Sequence, residues 1–341
     1  MKYSRSILSL VFVVSGILFL SCDSSHQDDY IRSLRADAVF SEPIDSLCLE
    51  AYDEISVDEI LAINDSWFLL SSRTGNYNLL FLDAVGKQSF YAIRKGRGPM
   101  EMINGGSLHQ VYDKAVYYDM TTSCCVSIDL LESIRLREVV LDTLCDFSTL
   151  SPKPVYMTRC RYGYVSGNVS DSGVWYSLYS EDGSLSASVD ALEYDELTQD
   201  RDLRISVMLS SKYASSPDGS RVCVANVASP SLSFAEVNKD DLTEYMRYEI
   251  SPPDINGGIS PDNCSAFMDV VADDEYVYLL YSGRSIKSRI SDSCNHIVIY
   301  RWDGSFEKYL YLKKPVCSIC IDKECFWGIS PDGDIIYKYN L

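Results

Sequence analysis

The sequence predicts an all-β fold, and the period and composition of its apolar segments support this. Apolar and polar residues alternate with a period of two over residues 67–71, 115–119, 174–179 and 296–300, which is the period of a strand with two different faces. These segments are short, rich in Tyr, Val and Ile, and bounded by the turn formers Asp, Asn, Gly and Ser. The strongest helix candidate is the insertion 191–207.

A loose repeat runs through the strands and indicates a six-bladed β-propeller. Each unit contains an apolar strand, a tyrosine, an acidic or Asn turn, and a second strand. The six turns lie at Asp83, Asp129, Asp182, Asn238, Asp303 and Asn340. Their spacing averages about 50 residues, the size of a propeller blade. The last unit ends at a single strand, so we expect a strand from the 39–49 region to close it. A β-sandwich array is the alternative.

Two copies of Ser-Pro-Asp-Gly, at 216–219 and 330–333, each precede a predicted strand. Proline presets φ for the first central position of a turn, and Gly accepts the left-handed conformation that ends it. A near-copy, Ser-Pro-Asp-Asn, lies at 260–263. These turns predict hairpins and carry no chemistry.

The N-terminus predicts a secreted, lipid-anchored protein. Lys2 and Arg5 precede an apolar run of 14 residues, and Ser21 then precedes Cys22, the order of a secretory signal with a cysteine placed for lipid attachment. A 14-residue helix is about 21 Å long, too short to span a hydrocarbon core of about 30 Å. We therefore predict a signal peptide over 1–21, lipid attachment such as palmitate at Cys22, a disordered acidic tether over 22–36, and the propeller over 37–341.

The predicted location is the cell envelope, with the outer membrane favoured. The acidic residues after Cys22 resemble an export signal of surface lipoproteins, whereas Asp23 resembles an inner-membrane retention signal. The membrane face therefore stays open. The formal net charge is −19, and cleavage before Cys22 would remove two cations and no carboxylate. A chain this acidic is not expected to bind nucleic acid.

Residues 95–101, Lys-Gly-Arg-Gly-Pro-Met-Glu, resemble the GRGP-x-E motif of the TolB-like six-bladed propeller lipoproteins of gut bacteria, a family with no assigned activity. The Ser-Pro-Asp-Gly turns are also similar to those of TolB-like propellers. The family usually has an aromatic residue after the Glu, where this chain has Met102. The resemblance implies the same fold over most of 36–341.

The motif supplies the candidate ligand residues Arg94, Arg97 and Glu101, to which we add His109 because it follows the loop closely. A loop between blades can point into the central mouth, where an arginine could bind an anion with both nitrogens. Alternatively, Arg97 is a structural clasp that binds carbonyl groups or Glu101, and we favour that interpretation.

Eleven cysteines remain without Cys22, an odd number, so at least one cannot pair within the chain. Cys317-x-x-Cys320 would direct its sulfurs to opposite faces of a strand, and no second pair completes a zinc site. A two-residue turn after Ile321 would place Cys320 opposite Cys325 and allow a disulfide. Most cysteines are interpreted as small buried hydrophobic residues.

No catalytic residue or metal ligand is assigned. The chain has three histidines and no nucleophile turn of the G-x-S-x-G type. We expect a binding module for a glycan, a peptide, a small anion or an envelope protein, and no cofactor. One alternative is a calcium-dependent hydrolase or lyase with its site in the central channel. Another is a non-catalytic scaffold in an envelope complex.

Overall fold

The computed structural model describes residues 27–49, 52, 56–98, 100–111, 113–150, 153–168, 174–190, 210–249, 264–288, 292–322 and 325–341. The predicted signal peptide, Cys22 and the start of the tether lie outside these residues. So do the predicted helix at 191–207 and the third turn at 260–263.

The described strands form six sheets. Helix α1 (Gln27–Ser33) and strands β1 (Val39–Ser41) and β2 (Asp45–Cys48) come first in the chain. Blade 1 contains β3 (Val57–Ile63), β4 (Trp67–Ser72), β5 (Tyr77–Asp83) and β6 (Ser89–Arg94). Blade 2 contains β7 (Gly105–Val111), β8 (Lys114–Asp119), β9 (Cys124–Asp129), helix α2 (Leu130–Leu136) and β10 (Leu141–Asp146). Blade 3 contains β11 (Pro154–Cys160), β12 (Gly163–Asn168), β13 (Val174–Tyr179) and β14 (Leu185–Asp190).

The remaining blades have the same plan. Blade 4 contains β15 (Ser211–Ser215), β16 (Arg221–Asn226), β17 (Leu232–Asn238) and β18 (Asp241–Tyr248). Blade 5 contains β19 (Cys264–Ala272), β20 (Tyr276–Ser285), β21 (Cys294–Arg301) and β22 (Phe306–Val316). Blade 6 contains β23 (Ser318–Asp322), β24 (Cys325–Ile329) and β25 (Ile335–Asn340). The first strand of each blade contacts the first strand of the next, so these six inner strands form a ring. The chain is a six-bladed β-propeller, as the repeat predicted.

The N-terminal segment closes the ring. Strand β2 pairs antiparallel with β25 and supplies the fourth strand of blade 6, which confirms the closing strand expected from the 39–49 region. Strand β1 adds a fifth strand to blade 5, parallel to β22, a pairing that the sequence did not predict. Because strands from both ends of the chain share a sheet, closure depends on contacts between residues that are far apart in sequence.

The hydrophobic core is a ring of interfaces between blades. Within the described residues the buried apolar side chains form six clusters, one at each blade boundary. Strand β16 shows the pattern: Val222 and Val224 pack toward blade 3, whereas Cys223 and Ala225 pack toward blade 5. Both faces of a blade are therefore buried, which explains why its middle strands are almost continuously apolar.

The turn residues that defined the repeat have equivalent places. Each of the six ends the third strand of its blade or lies in the turn after it: Asp83, Asp129, Asp182, Asn238, Asp303 and Asn340. Both complete Ser-Pro-Asp-Gly turns form hairpins, with Gly219 and Gly333 at φ values of 67° and 74°. The φ values are positive, as the turn chemistry predicted.

Two helices depart from the sequence prediction. Residues 27–33, placed in the disordered tether, form α1, and Tyr30 is only 2% exposed because it packs between blades 4 and 5. Helix α2 was not predicted; Asp129 begins it by accepting a hydrogen bond from the Glu132 backbone N–H at 2.8 Å. Asp followed three residues later by Glu is a helix-start pattern.

All eleven described cysteines are free thiols. Cys320 pairs with Trp327, and Cys325 pairs with Asp322, so the alternative that placed Cys320 opposite Cys325 is wrong by two positions. The hairpin turn starts one residue later than the alternative assumed. Cys223 is fully buried, as expected for a small hydrophobic side chain.

Candidate functional site

The six inner strands line a central cavity of about 150 Å³. Every blade contributes at least one polar side chain to its wall: Glu59, His109, Tyr156, Lys212, Asp269 and Ser318. Apolar side chains such as Leu61, Val270 and Ile319 fill the spaces between them. The wall is about equally polar and apolar, and its polar groups converge on the cavity, as they do in small-molecule sites.

A lysine and a glutamate meet across the channel. Lys212 on β15 and Glu59 on β3 belong to blades 4 and 1, which are opposite each other in a ring of six, and Nζ lies 3.6 Å from Oε1. The Lys212 ammonium also lies 4.9 Å from the centre of the Tyr156 ring of blade 3, a cation–π distance. Lys212 therefore lies between a carboxylate of the opposite blade and an aromatic ring of the neighbouring blade.

The protein around this pair changes its protonation. Burial raises the pKa of Glu59 to about 7, with a further upward contribution from Asp58 and Asp269, although Lys212 acts to lower it. Burial alone would lower the pKa of Lys212, but Glu59 and Asp269 outweigh that effect and the net shift is upward. Lys212 is therefore cationic near neutral pH, whereas the Glu59 carboxyl titrates in that range.

Asp269 on β19 links blade 5 to blade 6. Its Oδ2 accepts hydrogen bonds from the Ser318 hydroxyl at 2.7 Å and the Ile319 backbone N–H at 2.9 Å. Burial raises the pKa of Asp269, while Lys212 and these hydrogen bonds act to lower it. Its carboxylate is thus held by hydrogen bonds from blade 6, whereas the described contacts of the Lys212 ammonium are the ion pair with Glu59 and the Tyr156 ring.

His109 is the only one of the four predicted ligand residues that lines the cavity. Its Nε2 accepts a hydrogen bond from the Arg159 backbone N–H at 2.6 Å, so the ring proton of the neutral tautomer resides on Nδ1. Nδ1 is buried and has no hydrogen-bond partner among the described residues. Burial and the Arg159 charge lower the pKa of His109 to about 3, so this histidine is neutral near pH 7.

The GRGP loop connects β6 to β7, and its clasp is Glu101. The Glu101 carboxylate accepts a hydrogen bond from the Gly98 N–H at 2.8 Å. A Cβ on Gly96 would lie only 1.9 Å from Oε2 of Glu101, so glycine at 96 permits this approach. Met102 is 3% exposed and packs into the core between blades 1 and 2.

Arg94 and Arg97 are exposed and lie outside the wall of the central cavity. Within the described part of the chain neither side chain makes a hydrogen bond or an ion pair, so the clasp role of Arg97 stays a prediction beside the observed Glu101 contact. The structure therefore separates the motif from the channel: Arg94, Arg97 and Glu101 belong to the loop, and His109 belongs to the cavity.

Sequence reasoning missed Glu59, Lys212 and Asp269. Lys212 and Asp269 are each the single charged residue of their strands, SKYAS and CSAFMDVVA, and Glu59 follows Asp58 in the strand VDEILAI. A charge in such a place is a detectable signal, because an unpaired charge is costly in a buried sheet. Nothing in one strand reveals which other strand supplies its partner.

Within the described ranges, no three His, Cys, Asp or Glu side chains are grouped so as to hold a metal ion. No described helix has the length and apolar character required to cross a membrane.

No protein-family model and no curated protein matches the chain. Among solved structures, a Bacteroides fragilis protein provisionally assigned as exported has a TM-score of 0.55 at 12% identity, covering 89% of this chain and 99% of that one. The Cps50 (Swd1) β-propeller domain of Myceliophteria thermophila has a TM-score of 0.50 at 9% identity, covering 88% and 99%. BamB of Moraxella catarrhalis has a TM-score of 0.43 at 9% identity, covering 88% and 100%. At these identities the first two similarities establish the β-propeller fold alone.

Proposed function

We propose that the protein is a lipid-anchored binding module of the cell envelope whose central channel binds a small carboxylate, free or as the acidic end of a glycan or peptide. The observation that carries this proposal is the Lys212 ammonium. It is only 22% exposed as a side chain, and its nearest carboxylate oxygen is 3.6 Å away. That distance exceeds the 2.7–3.2 Å range of an N–H···O hydrogen bond.

The Lys212 ammonium carries three donors, yet it makes no hydrogen bond to any described residue. Lys212 is half-buried in the cavity wall, so donors that the protein leaves unused there can be satisfied by water or by a ligand. A carboxylate in the channel would supply acceptors for the ammonium. Tyr156 lines the same cavity, and its hydroxyl is a further donor that would orient the ligand around the lysine.

Glu59 makes this binding depend on pH. An anion beside Lys212 would repel an ionised Glu59, and the pKa of Glu59 is already raised to about 7. The glutamate can therefore accept a proton when the anion arrives, at little cost near neutral pH. We expect affinity for carboxylates to decrease as the pH rises from 6 to 8.

The binding test is titration calorimetry with acetate, succinate and glucuronate, with glucose as the neutral control. Wild type should bind at least one acid more tightly than glucose, Lys212→Met should lose that preference, and Glu59→Gln should bind with weaker pH dependence. Equal binding of glucuronate and glucose, or full binding by Lys212→Met, would contradict a carboxylate site. In that case a protein partner or a scaffold role becomes the better interpretation, and pull-down from membranes would identify the partner.

The anchoring part of the proposal is supported by the order of Lys2, the apolar run, Ser21 and Cys22 and by the resemblance to the TolB-like lipoproteins. Cells fed labelled palmitate should incorporate it into wild type and not into Cys22→Ser. Labelling of both proteins to the same extent would refute attachment at Cys22. The calcium-dependent hydrolase or lyase stays the alternative, since Glu59, His109 and Asp269 also line the cavity.

A further inference from the structure

The N-terminal helix is fixed to the propeller close to the proposed lipid. The Tyr30 ring lies edge-on to Phe267 at 5.5 Å and contacts Tyr281 at 4.8 Å. Its hydroxyl lies 3.0 Å from the hydroxyl of Tyr300. Tyr30 thus packs against blade 5 at its boundary with blade 4 and docks α1 there.

Little chain separates this helix from Cys22. Four residues, 23–26, connect Cys22 to the start of α1 at Gln27, and a fully extended chain would span at most about 18 Å over that interval. This is no more than the ~19 Å radius of gyration expected for a domain of some 300 residues. A lipid on Cys22 would therefore hold the blade 5 side of the propeller near the membrane, while the opposite side could not reach it.

The outer edge of blade 5 exposes apolar side chains on the same side. Five residues after α1, strand β1 forms the outermost strand of this blade, where Val39 is 54% exposed and Phe40 is 78% exposed. Ile44, just beyond β1, is 55% exposed. An edge strand with such side chains is an association hazard unless something covers it.

The charges along this edge have both signs. Lys313 pairs with Glu42 at 2.6 Å, and both are largely exposed. Arg32 and Arg35 are exposed on the helix side, with Asp37 between them and β1. The edge therefore has no strong net field, and contact with a lipid surface would depend on the apolar side chains, as for other interfacial anchors.

We propose that the outer edge of blade 5, formed by Val39, Phe40 and Ile44 beside α1, contacts the lipid surface to which Cys22 is attached. This inference rests on the proposed lipid anchor. Contact through the outer edge makes the propeller stand on its rim, with the channel axis parallel to the membrane. Both ends of the channel then open to the aqueous side, where soluble ligands approach without crossing a lipid face.

The test is tryptophan quenching in the full-length, lipidated protein bound to phosphatidylcholine–phosphatidylethanolamine vesicles that contain brominated lipid. Phe40→Trp places a probe on the blade 5 edge. Leu131→Trp is the matched control, because Leu131 is 49% exposed on α2 of blade 2, opposite blade 5 in the ring. Relative to wild type, we expect brominated lipid to quench the added emission of Phe40→Trp at least twofold and to leave that of Leu131→Trp unchanged.

The outcomes distinguish the two proposals. If wild type does not sediment with the vesicles, the lipid anchor is refuted, and the orientation is refuted with it. If the protein sediments but both added tryptophans are quenched equally, or neither is quenched, the anchor stands and the blade 5 contact is refuted.

Discussion

The GRGP loop and the central channel each combine carboxylates with cations, but they use them differently. In the loop, Glu101 binds backbone N–H of Gly98, while Arg94 and Arg97 extend into solvent. In the channel, Glu59 faces Lys212 from the opposite blade and both are mostly enclosed by protein. The loop charge is therefore a local structural device, whereas the channel charges depend on one another across the ring.

The comparison shows that a motif that is easy to recognise in the sequence need not lie in the candidate binding site. The loop is conspicuous because a compact turn needs several glycines and a proline in a row. The channel residues are inconspicuous because each strand contributes one or two of them. The following predictions test this difference, beginning with the largest expected effect.

Lys212→Met should cost about 3 kcal/mol of unfolding free energy at pH 8, because it leaves Glu59 and Asp269 enclosed without their cation. Adding Glu59→Gln should recover part of this loss. The control is Lys313→Met, which removes a lysine that is 64% exposed and should cost less than about 0.5 kcal/mol. Urea denaturation measures all four proteins, and equal effects of the two single lysine variants would contradict a coupled channel cluster.

Glu59→Gln should change how stability depends on pH. The raised pKa of Glu59, about 7 against an ordinary 4.5, means that the folded protein holds a proton the unfolded chain has lost. This proton uptake contributes to the free energy of unfolding below pH 4.5, and the contribution is lost as the pH rises through 7. Relative to wild type, Glu59→Gln should therefore gain about 3 kcal/mol between pH 4.5 and pH 8. A constant difference across this range would show that the pKa is not raised.

Glu101→Ala should destabilise the protein by about 1 kcal/mol, because the N–H of Gly98 loses its acceptor in a half-buried loop. Glu101→Gln keeps an acceptor oxygen and should cost less. Thermal unfolding of both variants measures the clasp. A wild-type melting temperature for Glu101→Ala would show that the loop holds its shape without this carboxylate.

Arg97→Ala should have the smallest effect, within about 0.5 kcal/mol of wild type, as expected for an exposed side chain without a partner among the described residues. Its affinity for acetate should also be unchanged if the anion site is in the channel. A loss of affinity at normal stability would return the ligand site to the loop, and a large loss of stability would restore the clasp interpretation of Arg97.

The blade pattern could be predicted because it repeats locally. A single Asp or Asn at or just after the end of each third strand marked where each of the six units lies in the sequence. The alternation of buried side chains followed from strand geometry. The positions of Tyr30 and Cys320 could not be predicted in this way. Tyr30 is buried because blades 4 and 5 leave a place for its ring. The strand partner of Cys320 depends on the position of the hairpin turn, and the observed turn starts one residue later than the predicted one.

By itself, the sequence determined the strand class, the number of blades, the two Ser-Pro-Asp-Gly hairpins and the closing role of the N-terminal segment. These features depend on period, turn chemistry and residue type, which act over a few neighbouring residues. Only the tertiary structure decided that Glu59 and Lys212 meet, that Glu101 holds the loop, and that α1 docks on blade 5. These contacts join strands or backbone groups that ring closure and loop folding bring together, so their energies depend on distances that no local pattern encodes.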